Sequence, residues 1–225
     1  MAKASPVEDL LRKSGGGGSE AARGVVNTME KKLILASASP RRREILAMAG
    51  YRFDILSPNV EENLSGLSPK ALVQELSRRK AAAAAALADP GAVILAADTV
   101  VCLEKEILGK PADRGAAAAM LSRLSGRTHA VYTGFTLRGA DRAVTQVASA
   151  QVTMREIAKE EIDAYVATGS PLDKAGAYGI QEAAGMFVRE IQGDFYCIVG
   201  LPLCPVSVIL RDVFGITPHF HQNSR

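Results

Sequence analysis

The sequence predicts an α/β fold in a single large or two-lobed domain, and three observations predict it. From Leu33 onward, short apolar segments alternate with segments of helical spacing. Ala92 to Leu103 is one continuous apolar run, the pattern of a strand covered on both faces. Arg127–Leu137 and Ala143–Thr153 alternate and are joined by Arg138-Gly139-Ala140-Asp141-Arg142, the pattern of a long antiparallel hairpin. A chain of 225 residues, 48% apolar and 23% charged, is long enough and apolar enough to bury a sizeable core.

The bulk numbers exclude several classes. A net charge of +3 is too small to argue for a nucleic-acid polymer or an anionic membrane. No apolar run approaches the roughly 20 residues that span a bilayer. The three cysteines, Cys102, Cys197 and Cys204, are odd in number and form no CxxC pair. A disulfide framework and a zinc site are therefore disfavoured, and a reducing, cytoplasmic compartment fits. Residues 1–30 carry the flexible linker composition Ser14-Gly15-Gly16-Gly17-Gly18-Ser19 and read as an extension. The folded domain is expected over 31–217, followed by a polar tail at 218–225.

Leu33-Ile34-Leu35 reads as a buried strand and leads into Ser37-Ala38-Ser39-Pro40-Arg41-Arg42-Arg43. Ser39 suits a helix N-cap and Pro40 the first helical position. The arginines then fall in the first turn, where the helix dipole disfavours cations. They are either solvated or gathered around an anion such as a polyphosphate. Tyr51–Ser57 alternates as a strand that Pro58 closes. Glu61 and Glu62 follow in a loop that is either solvated or a metal or catalytic site. Ser68-Pro69 opens a helix running to about Ala88, with an apolar stripe through Leu76, Ala84 and Leu87. Lys80 falls on that stripe, and so either snorkels to an edge or points a cation into a cleft.

Asp98 and Thr99 interrupt the apolar run 92–103. A carboxylate there costs free energy unless a cation or metal compensates it, which makes Asp98 the leading catalytic candidate. Gly109-Lys110-Pro111 places Lys110 on a constrained loop. An alanine-rich helix follows to Leu124, then the hairpin, in which His129 reads as a packed strand histidine. A helix spans Ala158–Thr168. Asp173-Lys174-Ala175-Gly176-Ala177-Tyr178-Gly179-Ile180-Gln181 reads as a ligand loop: a charge at Lys174, a ring at Tyr178, and an amide at Gln181 able to read a base edge. Met186–Ile191 reads as a strand, 193–196 as a turn, and Pro205–Phe214 as a closing helix. The tail His219-Phe220-His221 reads as a frayed polar end rather than a metal site.

In this order, Ser37–Arg42, Glu61, Lys80, Ala97-Asp98-Thr99-Val100-Val101, Gly109-Lys110-Pro111, His129–Gly134, Asp173–Gln181 and Val199-Gly200-Leu201-Pro202 resemble the Maf family of nucleoside triphosphate pyrophosphatases. The resemblance covers about residues 32–215. It implies a mixed, curved sheet with flanking helices and two lobes around a deep groove, as in Maf and ITPase-like proteins. It implies hydrolysis at the α-phosphate with Mg²⁺ or Mn²⁺, and a homodimer. Asp98 would be general base and metal ligand, Glu61 would help place the metal, and Lys80 would join them. Arg41, Arg42, Lys80 and Lys110 would hold phosphate charge, and Ser37 and Ser39 would add hydrogen bonds. Arg41, Thr99 and Gln181 match the branch that resembles dTTP/UTP pyrophosphatases rather than the one preferring 7-methyl-GTP. The same resemblance carries an alternative, a nucleotide-binding regulator of division or septum formation. The chain departs from the family at Cys197, where Asn is common, at Glu182, where Gly is usual, and at Asn63 and Leu64, where arginines are usual.

Overall fold

Strand β3 (Val93–Leu103) is the spine of the domain. The computed structural model describes residues 31–62 and 64–220, so the Gly/Ser-rich N-terminal segment, Asn63 and His221 lie outside the described residues. A seven-stranded mixed sheet runs in the order β2-β1-β3-β5-β6-β7, with β4 paired to β3 off that path. β1 (Leu33–Leu35) is parallel to both β2 (Asp54–Ile55) and β3. β4 (Glu106–Leu108), β5 (Thr128–Arg138), β6 (Ala143–Met154) and β7 (Val188–Gly193) join antiparallel.

The apolar run of β3 is buried on both faces, as its composition predicts. Val93, Leu95 and Ala97 join one core with Ile45, Leu46 and Leu210. Ile94 and Ala96 meet Ala81 and Ala84 on the other side. Further along, Val101 and Leu103 enter a third core with Leu121, Leu124 and Tyr165. The chain thus has a major core towards each end of β3. Asp98 and Thr99 sit where neither claims the strand.

The helices start close to where their sequences suggest. α1 (Pro40–Met48) has Ser39 at its N-cap and Pro40 at its first position, but the Ser39 side chain makes no capping bond. α2 (Pro69–Ala85) is capped by the Ser68 side chain, and α3 (Arg114–Leu124) by Asp113. α4 (Lys159–Ala167) and α6 (Leu203–Phe214) match the predicted spans closely. Elsewhere the expectations shift. The strand predicted at 51–57 keeps only two paired residues, because β2 is an edge that touches β1 alone. The predicted stripe of α2 rotates, so Val73, Leu76, Ser77, Ala81 and Ala84 are buried while Leu87 is exposed beyond the helix end. Glu104-Lys105 is a hairpin turn into β4, a strand too short to carry a pattern. The turn expected at 193–196 continues into a short helix, α5 (Phe195–Val199), whose cap Asp194 accepts from the Tyr196 and Cys197 amides. No helix among the described residues is long and apolar enough to cross a membrane.

Candidate active site

A cavity of about 930 Å³ opens between the two major cores, over the centre of β3. Its wall takes Ser37–Arg42 from one side, Lys80 from α2, Asp98 and Thr99 from the floor, and Lys110 and the segment 173–182 from the other side. Of the residues predicted to act, all but Glu61 line it.

The β1–α1 loop forms one wall. Arg42 is turned inward: its Nε donates to the Gly200 carbonyl at 2.8 Å, and its terminal nitrogens donate to Ser37 Oγ and Thr99 Oγ1, each at 3.1 Å. Burial lowers its pKa, and the nearby Asp98 opposes the shift. A guanidinium has five N–H donors, so two remain for an anion. Ser37 Oγ accepts from Arg42 and from the Ser39 amide at 3.2 Å, which leaves its own proton free to donate. Ser39, uncommitted as a cap, offers a second hydroxyl beside the unpaired amides of the first helical turn. Arg41 reaches back to Asp173 Oδ2 at a long 3.3 Å, and Lys110 is exposed with no ion-pair partner among the described residues. This wall therefore collects cations and donors with little counter-charge, the arrangement an anion completes.

The floor is the Asp98–Lys80 pair. Asp98 is 9% exposed, and Lys80 Nζ donates to its Oδ1 at 2.5 Å. Lys80 also meets Glu62 Oε1 at 2.6 Å. Of the two readings of Lys80, the structure shows the cation pointed into a cleft, on two carboxylates. Gly134 makes this geometry possible. It lies opposite Asp98 on β5, and a Cβ there would stand 2.3 Å from the Val73 carbonyl oxygen of α2. Only glycine lets α2, with Lys80, settle this close to the sheet.

Two expectations about side chains change. Glu61 is exposed and off the cavity wall, and the neighbouring Glu62 takes the inward place. The loop has no helical or strand structure there, so adjacent side chains diverge, and sequence spacing does not select between them. Lys174, expected to bind substrate, is 6% exposed. Its Nζ contacts the Ser170 carbonyl and Asp173 Oδ1, both at 2.7 Å, and Glu182 Oε1 at 3.1 Å. With the Ser170 hydroxyl also in reach, every N–H donor of the ammonium has an acceptor in its own loop, so the ammonium holds that loop. Asp173 would be raised by burial, but Lys174 and Arg41 outweigh this and hold its carboxyl below the usual range. Gly179 makes room for the lysine stem, since a Cβ there would fall 2.6 Å from Lys174 Cε. Gln181 remains exposed at the rim. Tyr178 turns its hydroxyl away, to His129 Nε2 at 2.8 Å. Glu182, a departure from the family, serves the loop through Lys174 and Ser170. Cys197, another departure, is buried outside the cavity wall.

The donor set suits a hard divalent cation shared with substrate. Among the described residues no three His, Cys, Asp or Glu side chains converge on a metal cage. A magnesium-type ion needs no such cage, taking one or two carboxylates and filling its shell with water and phosphate oxygens. Asp98 and Glu62 both touch Lys80 Nζ, so the two contacting oxygens are at most about 5 Å apart.

Comparison with known proteins identifies relatives of the chain. The family model described as "Maf-like protein" matches residues 32–213. A dTTP/UTP pyrophosphatase of Bacillus anthracis is 48% identical over 184 residues, covering 81% of this chain and 94% of the relative. One of Bacillus pumilus is 45% identical over 188 residues, covering 83% and 98%. Among solved structures, a HAM1 protein from Coxiella burnetii aligns with 55% of this chain and 73% of its own at 14% identity and a TM-score of 0.38, a partial likeness only. With the family's full motif order, a matching family model and relatives of this identity, the chain belongs to the Maf family.

Proposed function

We propose that this chain hydrolyses nucleoside triphosphates to the monophosphate and pyrophosphate, with dTTP and UTP, and modified pyrimidine relatives, as its substrates. The observation that carries the reading is a nearly buried Asp98–Lys80 pair on the floor of a cavity whose facing wall is rich in arginine and hydroxyl donors. The dTTP/UTP specificity of the relatives supports the substrate class, together with Arg41, Thr99 and Gln181 at the positions that distinguish that branch.

Phosphoryl transfer asks a protein for positioning and charge neutralisation more than covalent chemistry. Arg41, Arg42 and Lys110 hold the phosphates, and Ser37 and Ser39 add hydroxyl donors. Asp98 takes the proton of the attacking water as its oxygen bonds to the α-phosphorus. The bond from that phosphorus to the bridging oxygen breaks and pyrophosphate leaves. Lys80 fixes the Asp98 carboxylate and balances its charge against the incoming polyphosphate. Mg²⁺ or Mn²⁺, held by Asp98 and Glu62 with Glu61 beyond them, would neutralise phosphate charge and activate water. Gln181 reads the pyrimidine edge from the rim. The catalytic unit is assigned to 31–217, in the reducing, cytoplasmic compartment that the cysteine usage fits and in the homodimer that the family resemblance implies.

The test is pyrophosphate release from a panel of nucleoside triphosphates with Mg²⁺ or Mn²⁺, for wild type and Asp98→Asn. Release from dTTP and UTP, lost in the variant and on chelation, is expected. Faster turnover of 7-methyl-GTP than of UTP would overturn the substrate class. Binding without turnover by wild type would overturn the reaction.

A further inference from the structure

We infer that Thr133 is a positioning residue that sets the hydrogen-bond direction of Thr99 and, through it, the place of the Arg42 guanidinium on the substrate's phosphates; the inference rests on the pyrophosphatase reading. Thr133 is fully buried and lies outside the cavity wall, so no effect it has on substrate is direct. It stands opposite Thr99 across β3 and β5.

The direction follows from counting protons. Thr133 Oγ1 is 2.7 Å from the Cys197 carbonyl oxygen and 2.8 Å from Thr99 Oγ1. A carbonyl oxygen only accepts, so the single proton of Thr133 goes to Cys197. Thr133 then accepts from Thr99, and the single proton of Thr99 is used. Thr99 is left as an acceptor facing Arg42, whose terminal N–H it takes at 3.1 Å. The chain runs one way, from Arg42 through Thr99 and Thr133 to the backbone of α5. The Thr99 hydroxyl therefore gives no donor to a nucleotide, in contrast to Ser37, whose proton is free.

The backbone is fitted around this chain. Gly200 has φ of 117°, and a Cβ there would stand 3.3 Å from Thr99 Oγ1 and 3.4 Å from Arg42 Nε. Without Thr133, the Thr99 proton loses its acceptor, and the hydroxyl is free to rotate its proton against the Arg42 N–H. The guanidinium then keeps only Gly200 and Ser37 as anchors, and its two remaining donors lose their aim.

The test uses full-length protein and calorimetric binding of inorganic tripolyphosphate with Mg²⁺, alongside melting temperatures and nucleotide kinetics. Thr133→Val, nearly isosteric, is expected to weaken binding about fivefold, the worth of one hydrogen bond. Thr133→Ser, which restores the hydroxyl, is expected to bind within about twofold of wild type. In a Thr99→Val background, Thr133→Val is expected to cost nothing further, because its route is already cut. Should Thr133→Val fail to fold, Thr133→Ala gives the same reading without added bulk. Binding unchanged in the valine or alanine variant overturns the inference. So does an equal loss in both Thr99 backgrounds, which is what a purely structural threonine gives. Tripolyphosphate binding with no nucleotide turnover overturns the pyrophosphatase reading alone, since the variants still report on Arg42. No binding by wild type overturns both.

Discussion

Replacing Gly134 with alanine tests whether the closeness of α2 to the sheet is what assembles the floor of the site. The added Cβ would lie 2.3 Å from the Val73 carbonyl oxygen, 2.5 Å from its carbon and 2.8 Å from the Gln74 nitrogen. All three are backbone atoms of a helix, so no side chain can swing away. Restoring ordinary contact requires the helix to retreat by about 1 Å. Overpacking of this kind costs about 2 kcal/mol, or about 4–8 °C in melting temperature for a domain of this size. The same retreat draws Lys80, seven positions along α2, from Asp98, at 2.5 Å in the native fold. A shift of that size costs about 100-fold in kcat/KM. Gly91→Ala is the control, because nothing lies within 4 Å of its Cβ. The assay pairs thermal unfolding with pyrophosphate release from UTP. A Gly134→Ala protein with wild-type melting and wild-type turnover would refute the reasoning, since α2 would then be free of the glycine.

Two further predictions follow from side-chain placement. Glu62→Gln is expected to lower kcat/KM by more than about tenfold and raise the metal concentration needed for half-maximal rate, while Glu61→Gln stays within about threefold; the reverse order would return the inward place to Glu61. Burial pushes His129 down to about 4, so the folded protein keeps it neutral where the unfolded chain, near 6.5, takes up a proton. Its contribution is whole above pH 6.5 and is lost as pH falls from there towards 4, a change of about 3 kcal/mol. Urea midpoints measured from pH 4 to 7 are expected to fall less steeply for His129→Gln than for wild type, and parallel curves would count against the assignment.

Much of this protein is legible in its sequence because the signals are local. A continuous apolar run can lie only between two covered faces, and β3 does. Ser-Pro at 39–40 and 68–69 starts helices because a fixed proline φ and an unneeded N–H suit a first turn. Three arginines in one such turn pose the choice between a solvated face and a bound anion, and a carboxylate interrupting the apolar run singles out Asp98. Which partner each charge finds is not local. Asp98 meets Lys80 across 18 residues and Arg41 meets Asp173 across 132, and such pairs depend on strand register and on how closely a helix approaches the sheet. Only tertiary structure turned Glu62 inward instead of Glu61, spent the three donors of Lys174 on its own loop, and set Thr133 behind Thr99. Each was decided by a neighbour far along the chain, because a buried polar group must satisfy its protons and lone pairs with whatever the fold brings beside it.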